Sequence, residues 1–377
     1  MNALSWTKYV VAGAASVLLI AGPARAEDNP ILKANVAPDK WGTQAELQTI
    51  DKFCGTKPIK VAFSSSLIAG SSWRKLALAE FQDEAAKCKN IAEVTFTDAQ
   101  SNPERQISDI QSLIARQFNV IVVTVDQPET LLRTMHDATA KGVAVVPWQQ
   151  GLDFPGKAGV DWIANPTPSQ ADFGKIWMSW IAKNLKGKGN ILVYGGSPGA
   201  PQTSGQIKGY QPVLDANPGL KVLEPPVITN WDPAQYQKIT PALLAKYPQI
   251  DAIYADYGFG VMGALRAFKA AGRPIPLVTG LATNELSCFW AQEHAANPNF
   301  QIATINAWNW VIRVALRKGV AAAEGIDNLE PTIFKSEFAE DSTDPKLQPV
   351  CDPNLPPDVA RSSSQLSTEQ LVKLFPR

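Results

Sequence analysis

Histidine is almost missing from this chain. Only His136 and His294 occur in 377 residues, and the four cysteines include no C-x-x-C pair. That leaves neither the ligand spacing of a zinc site nor an obvious general base. Surplus charge is missing too: 35 Lys and Arg stand against 35 Asp and Glu. Such a balance gives no electrostatic drive toward nucleic acid or an anionic membrane surface. No G-x-G-x-x-G opens the first predicted strand–helix turn. The glycine-rich turns Gly195–Gly199 and Gly258–Gly260 are not followed by the G-K-[ST] of a phosphate loop. Neither a cofactor nor a metal is therefore expected, and catalytic groupings are too sparse to indicate an enzyme.

Long apolar runs are also lacking, with one exception at the start. Lys8 precedes an apolar stretch from Tyr9 to Gly22, and Ala24-Arg25-Ala26 follows with small residues at cleavage spacing. The stretch falls short of the roughly 20 residues a helix needs to span a bilayer. Residues 1–26 are thus expected to be a signal peptide, cleaved after Ala26, with no cysteine nearby to take a lipid. This predicts export to the periplasm. Residues 27–377 suffice for two ordinary domains. In an oxidising compartment Cys54, Cys88, Cys288 and Cys351 predict two disulfides. Three pairings are possible. Cys54–Cys88 and Cys288–Cys351 are favoured, because each ties a flanking segment to a nearby helix.

From Ile59 onward, strand-like and helix-like stretches alternate. Strands are predicted at 59–63, 94–96, 120–125 and 143–146, with helices at 73–87, 103–117 and 128–140 between them. The run Val120-Ile121-Val122-Val123-Thr124-Val125 is apolar almost throughout, the mark of a parallel strand covered on both faces. A second series follows, with strands at 191–194, 222–228, 252–254, 277–278 and 302–304. Its helices are predicted at 169–184, 205–216, 233–246, 261–271, 285–295 and 307–323. The polar, proline-rich tail from about 328 ends in a helix at 367–374. The fold class is α/β: two doubly wound parallel-sheet lobes. Ligands of such sheets bind at the carboxyl ends of the strands, so two opposed sheets make a cleft.

The residues at those strand exits are aromatic or polar. Trp73, Trp148 and Trp308 follow predicted strands and could present ring faces to the C–H face of a sugar. Trp177, Trp180 and Trp290 lie inside helices and read as packing residues. Ser65, Arg74, Asp126, Gln149, Gln150, Asn165, Gln206, Asp256 and Asn306 supply the planar donors and acceptors that a neutral polyhydroxylated ligand needs. Ser64, Ser66, Asp98 and Gln100 stand at the same exits.

As a set, several stretches resemble the type I periplasmic binding proteins of the ribose and galactose group. Phe96-Thr97-Asp98-Ala99-Gln100 with Gln106-Ile107 is similar to that family's second strand and helix. Asn119-Val120-Ile121-Val122-Val123 is similar to its D-A-I-I-V strand. The strongest match is Tyr247 to Ala255, followed by Gly263-Ala264 and Ala270-Ala271-Gly272. Gly70-Ser71-Ser72-Trp73-Arg74 resembles the ligand loop of members that place an Arg near the sugar. The resemblance covers roughly 57–323. It implies a three-segment hinge near 161–164, 304–307 and 329–333. One lobe would hold 57–162 with 307–328, and the other 163–305 with 329–377. It also implies a monomeric importer subunit that closes on a sugar or polyol and docks on a membrane permease of an ABC transporter. The alternative is a receptor presenting a bound signal to a membrane sensor. The departures are Gln149-Gln150 for an Asp, Gln206 for an Arg, Ala282 for an Asp and Asn306 as nearest match to a Gln. They imply an altered ligand, such as a polyol or modified sugar.

Overall fold

The computed structural model describes residues 29–69 and 71–375. The expected signal peptide and Gly70 lie outside the described residues.

The chain enters through β1 (Trp41–Gly42) and then builds a first sheet. Its elements are β2 (Ile59–Ser65), α1 (Ser72–Ala85), β3 (Ile91–Asp98), α2 (Pro103–Ala115), β4 (Val120–Thr124), α3 (Pro128–Ala140) and β5 (Ala144–Pro147). The strand order is β3-β2-β4-β5, all parallel. β4 is buried at every position, as its unbroken apolar sequence predicts. Local chemistry sets the helix starts. Ser71 caps α1 by accepting from the Arg74 N–H, and Asn102 caps α2 ahead of Pro103 at the first helical position.

The second half begins with β6 (Thr167–Pro168), α4 (Gln170–Asn184), β7 (Lys188–Gly195), α5 (Pro201–Ala216), β8 (Gly219–Val222) and β9 (Val227–Ile228). It continues with α6 (Pro233–Lys246), β10 (Ala252–Tyr254), α7 (Gly258–Ala270), β11 (Leu277–Leu281), α8 (Asn284–Glu293) and β12 (Ile302–Ile305). Next come α9 (Val311–Glu324), β13 (Ile333–Phe334), β14 (Phe338–Asp341) and α10 (Thr368–Leu374). The second sheet runs β14-β12-β11-β10-β7-β8, with β9 also on β7. Only β14 is antiparallel. The strand expected over 222–228 is two short strands, because Pro225 and Pro226 cannot donate to a ladder. The helix expected from 307 begins at Val311, since Trp308 takes a left-handed backbone (φ 55°) that ends any earlier turn.

A three-stranded parallel sheet, β1-β13-β6, joins the halves. No periodicity announced it, because two-residue strands carry none. After β12 the chain returns to the first sheet, where α9 packs on β4 and β5. Gly319 permits that approach: a Cβ there would lie 2.3 Å from Val120 Cγ1. α9 is buried all round, charges included. Arg313 pairs with Glu80, with Asp83 at 2.6 Å and with Glu84 at 2.9 Å. Arg317 reaches Glu84 at 2.8 Å and Glu330 at 3.0 Å. The tail divides between the halves. β14 extends the second sheet, while Leu355, Val359, Leu366 and Leu371 pack on Leu76 of α1. Disulfides join Cys54 to Cys88 and Cys288 to Cys351. Among the described residues no helix is long and apolar enough to cross a membrane.

Candidate functional site

The carboxyl ends of the two large sheets bring five of the candidate residues, Trp73, Trp148, Gln149, Asn306 and Trp308, to one region around Ala307. Trp73, in the first turn of α1, stacks on Trp148 at the end of β5, with ring centroids 4.6 Å apart and planes 17° from parallel. Phe63 meets Trp148 edge-on at 6.2 Å. The Trp73 indole N–H donates to the Ala307 carbonyl at 3.0 Å, and the Asn309 amide donates back to the Trp73 carbonyl at 2.7 Å. The Gln149 amide donates to the carbonyls of Trp308 (2.7 Å) and Ala307 (3.3 Å). Trp308 lies on Trp310 and Phe334 with centroids 5.3 and 5.9 Å away, and Asn306 accepts the Trp308 N–H at 2.8 Å. Gln149 and Trp308 both have positive φ (53° and 55°). Such strain costs roughly 1–3 kcal/mol per residue and concentrates where a side chain must be aimed.

Other candidates are engaged by partners away from Ala307. Arg74 is bidentate to Asp126 at 2.6 and 3.4 Å, and donates to Ser66 and to the Leu67 carbonyl. Ser65 donates to the Leu67 carbonyl. The Gln206 amide donates to Gln170 at 3.0 Å, and its oxygen accepts from Tyr254 at 2.9 Å, so both of its ends are occupied. Asn165 accepts the Gln150 N–H and donates to the Gly151 carbonyl, fixing the first crossover.

Asp256, at the end of β10, is the distinctive acid. Trp231 donates its indole N–H to one carboxyl oxygen at 3.0 Å, while the other oxygen is buried without a partner. Burial pushes its pKa up to about 6, against the opposing pull of the Trp231 hydrogen bond. The Trp148 and Trp308 indole nitrogens and the Gln150 amide oxygen are likewise buried and unpartnered. Buried polar atoms in this state are uncommon and call for an explanation.

Sequence reasoning passed over Trp231, Tyr257 and the tail. Trp231 had a signal: it follows Asn230 in a left-handed turn after β9. A Cβ at Gly196 would lie 2.1 Å from its ring, so glycine lets the indole lie flat on the β7 turn. Tyr257 and the tail gave none. They meet Trp73, Ala282 and Ala307 around a gap of about 10 Å³ between the sheets. Trp177, Trp180 and Trp290 are buried in packing positions. A wider groove of about 620 Å³, lined by Trp41, Lys175, Trp180 and Lys335, opens elsewhere and shares no residue with this region.

The turn Gly195-Gly196-Ser197-Pro198-Gly199 has the spacing of a hydrolase nucleophile elbow between β7 and α5. Neither histidine serves it: His136 pairs with Asp161 at 3.0 Å, and His294 stacks on Trp290 at 4.1 Å. Among the described residues no cluster of metal-binding side chains occurs.

A family model described as periplasmic binding protein domain matches residues 61–297. The xylitol-binding protein of Mycolicibacterium smegmatis is 31% identical over 201 residues, 53% of this chain and 56% of that protein. The D-apiose import binding protein of Paraburkholderia graminis is 24% identical over 247 residues, 65% and 77% of the two chains. The chain spans about half the length of several of the curated relatives it matches. Among solved structures, the myo-inositol-bound Caulobacter myo-inositol binding protein superposes with TM-score 0.64 at 23% identity, covering 75% of this chain and 93% of that one. The 5-methylthioribose transporter solute binding protein of Thermotoga lettingae gives TM-score 0.64 at 20% identity, with 87% and 94% covered.

Proposed function

Because the chain belongs to the periplasmic binding protein domain family, we propose that it is the solute-binding subunit of an ABC importer. Its ligand is a neutral, polyhydroxylated small molecule: a monosaccharide, a polyol or a modified sugar. The observation that carries this reading is the set of unpartnered buried atoms at the strand ends. Trp148 and Trp308 offer indole N–H donors, while Gln150 and Asp256 offer acceptors. Donors and acceptors in similar number suit hydroxyl groups, each of which gives one bond and takes two. The Trp73–Trp148 stack adds an apolar wall for the C–H face of a ring or chain. The relatives support the chemical class, since their names speak of xylitol, D-apiose and myo-inositol.

The working cycle is hinge closure. One lobe comprises 57–162 and 307–328, the other 163–305 and 329–377, with the end of the tail reaching back to α1 of the first lobe. Contacts made by both lobes exist only in the closed form, so ligand shifts that population. The closed monomer then docks on a membrane permease. Export to the periplasm after cleavage at Ala26 places it there. Catalysis is not part of this role: neither histidine serves Ser197, and Asp256 is held by the Trp231 indole.

A thermal-shift screen tests the reading with xylitol, myo-inositol, D-xylose and D-ribose against charged controls. A neutral polyol at 100 times its Kd should add about 2.7 kcal/mol of stability. Stabilisation by amino acids or organic acids alone, with no response to any neutral polyol, would reject it.

A further inference from the structure

The tail crosses the cleft. Cys351 is disulfide-bonded to Cys288 of α8. Asn284, on the same helix, donates to the carbonyls of Asp352 and Leu355 (2.8 and 3.0 Å) and accepts the Asp352 N–H at 2.9 Å. The Glu285 N–H donates to the Pro357 carbonyl. These anchors sit on the second sheet's lobe. The following residues dock on the first. Leu355, Val359, Leu366 and Leu371 form one apolar cluster with Leu76 of α1. The Ser364 hydroxyl and the Gln365 N–H donate to Glu80 of α1, and the Gln370 amide donates to Asp83 at 2.9 Å. Midway, Ser363 accepts the Ala307 N–H at 2.7 Å, at the hinge itself.

Between its two anchorages the tail borders the gap that Trp73, Tyr257 and Ala282 line from the lobes, and Asp358 stands on that border. Ala282 offers no polar group there. Among the described residues nothing hydrogen-bonds to the Asp358 carboxylate. At about 10 Å³ the gap is far below the roughly 300–1,000 Å³ of a small-molecule site. Ligand can enter only if the lobes separate, and separation pulls on a segment held covalently at one end and by apolar contact at the other.

We propose that residues 351–371 are a fourth inter-lobe connection, a strap that holds the ligand cleft shut and supplies Asp358 as the acceptor for a ligand hydroxyl. This rests on the binding-protein reading above.

Three proteins decide it: the full chain, Asp358→Asn, and a chain ending at Asp352 that keeps the disulfide. Small-angle scattering without ligand and xylitol titration by calorimetry are the two readouts. The shortened chain should have a larger radius of gyration than the intact one despite its lower mass. Asp358→Asn should match the intact chain in scattering and melting temperature, yet bind xylitol at least tenfold more weakly. If the shortened chain fails to fold, Leu371→Asp replaces it, releasing only the far end of the strap with the same expected expansion. A compact profile from the freed strap, or unchanged xylitol affinity in Asp358→Asn, overturns the proposal. Should the intact chain ignore xylitol and every other neutral polyol, the importer reading falls, while scattering still decides whether the strap holds the lobes together.

Discussion

Asp256→Asn should make the protein more stable and less functional, with a gain that depends on pH. The carboxyl is fully buried, with one oxygen held by the Trp231 indole and the other unpartnered. Its pKa rises from the ordinary 3.8 to about 6, so the folded state prefers the proton. Below pH 3.8 both states are protonated and no penalty applies. Between pH 3.8 and about 6 the unfolded chain ionises first and stability falls. Above that window the loss is complete. Two pKa units at 1.36 kcal/mol each give about 3 kcal/mol as an upper figure. Asparagine keeps an oxygen for the Trp231 N–H and cannot ionise. Urea denaturation of both proteins at pH 4 and pH 8 should show the variant ahead by up to about 3 kcal/mol at pH 8 and nearly level at pH 4. Polyol binding should weaken, because an amide replaces the acceptor. A difference independent of pH would mean that Asp256 is not a buried acid held against its preference.

Four further outcomes follow from the packing. Trp73→Ala should abolish the polyol thermal shift while leaving the ligand-free fold in place, since the residue is only partly buried; an unchanged shift removes the Trp73–Trp148 stack from the site. Gly319→Val should cost about 1–3 kcal/mol by driving α9 off Val120, read as a lower urea midpoint. Glu80→Ala, which takes one of three carboxylates from the buried Arg313 and leaves the Ser364 hydroxyl and Gln365 N–H without their acceptor, should cost about 1–3 kcal/mol in the same measurement. Replacing Cys288 and Cys351 together with serine frees a loop whose ends are 63 residues apart and should cost about 4 kcal/mol by loop-closure entropy, with no further effect of reductant on that bridge.

Most elements were legible because their causes are local. A Ser or Asn cap, a proline at a helix start and an apolar run of strand length act within a few residues of themselves. That is why β4, α2 and α4 stand where periodicity put them. The two-residue strands of the hinge were not legible, since two residues have no period. The resemblance implied crossovers near 161–164, 304–307 and 329–333, and of these short strands only β13 begins within one of those ranges.

Candidate site residues divide along the same line. That Trp148 and Asp256 end strands is written in the neighbouring apolar runs. That Arg74 is engaged by Asp126, and Gln206 by Gln170 and Tyr254, depends on partners up to 52 residues away. Trp231 was missed because its relation to Asp256 spans a strand crossover, and the strap because its leucines are spaced too irregularly to announce a face.

By itself, then, the chain's order of strands and helices determined a doubly wound α/β protein in two halves, because short-range propensity and burial period act before any distant contact forms. Tertiary structure alone decided which polar atoms pair with one another and which are buried without a partner. It also fixed the cysteine pairing that the sequence could only favour, and decided that a polar tail returns across the gap. Each of these turns on which side chains lie within a few ångströms across a long sequence separation, and only the packing of the two sheets determines that.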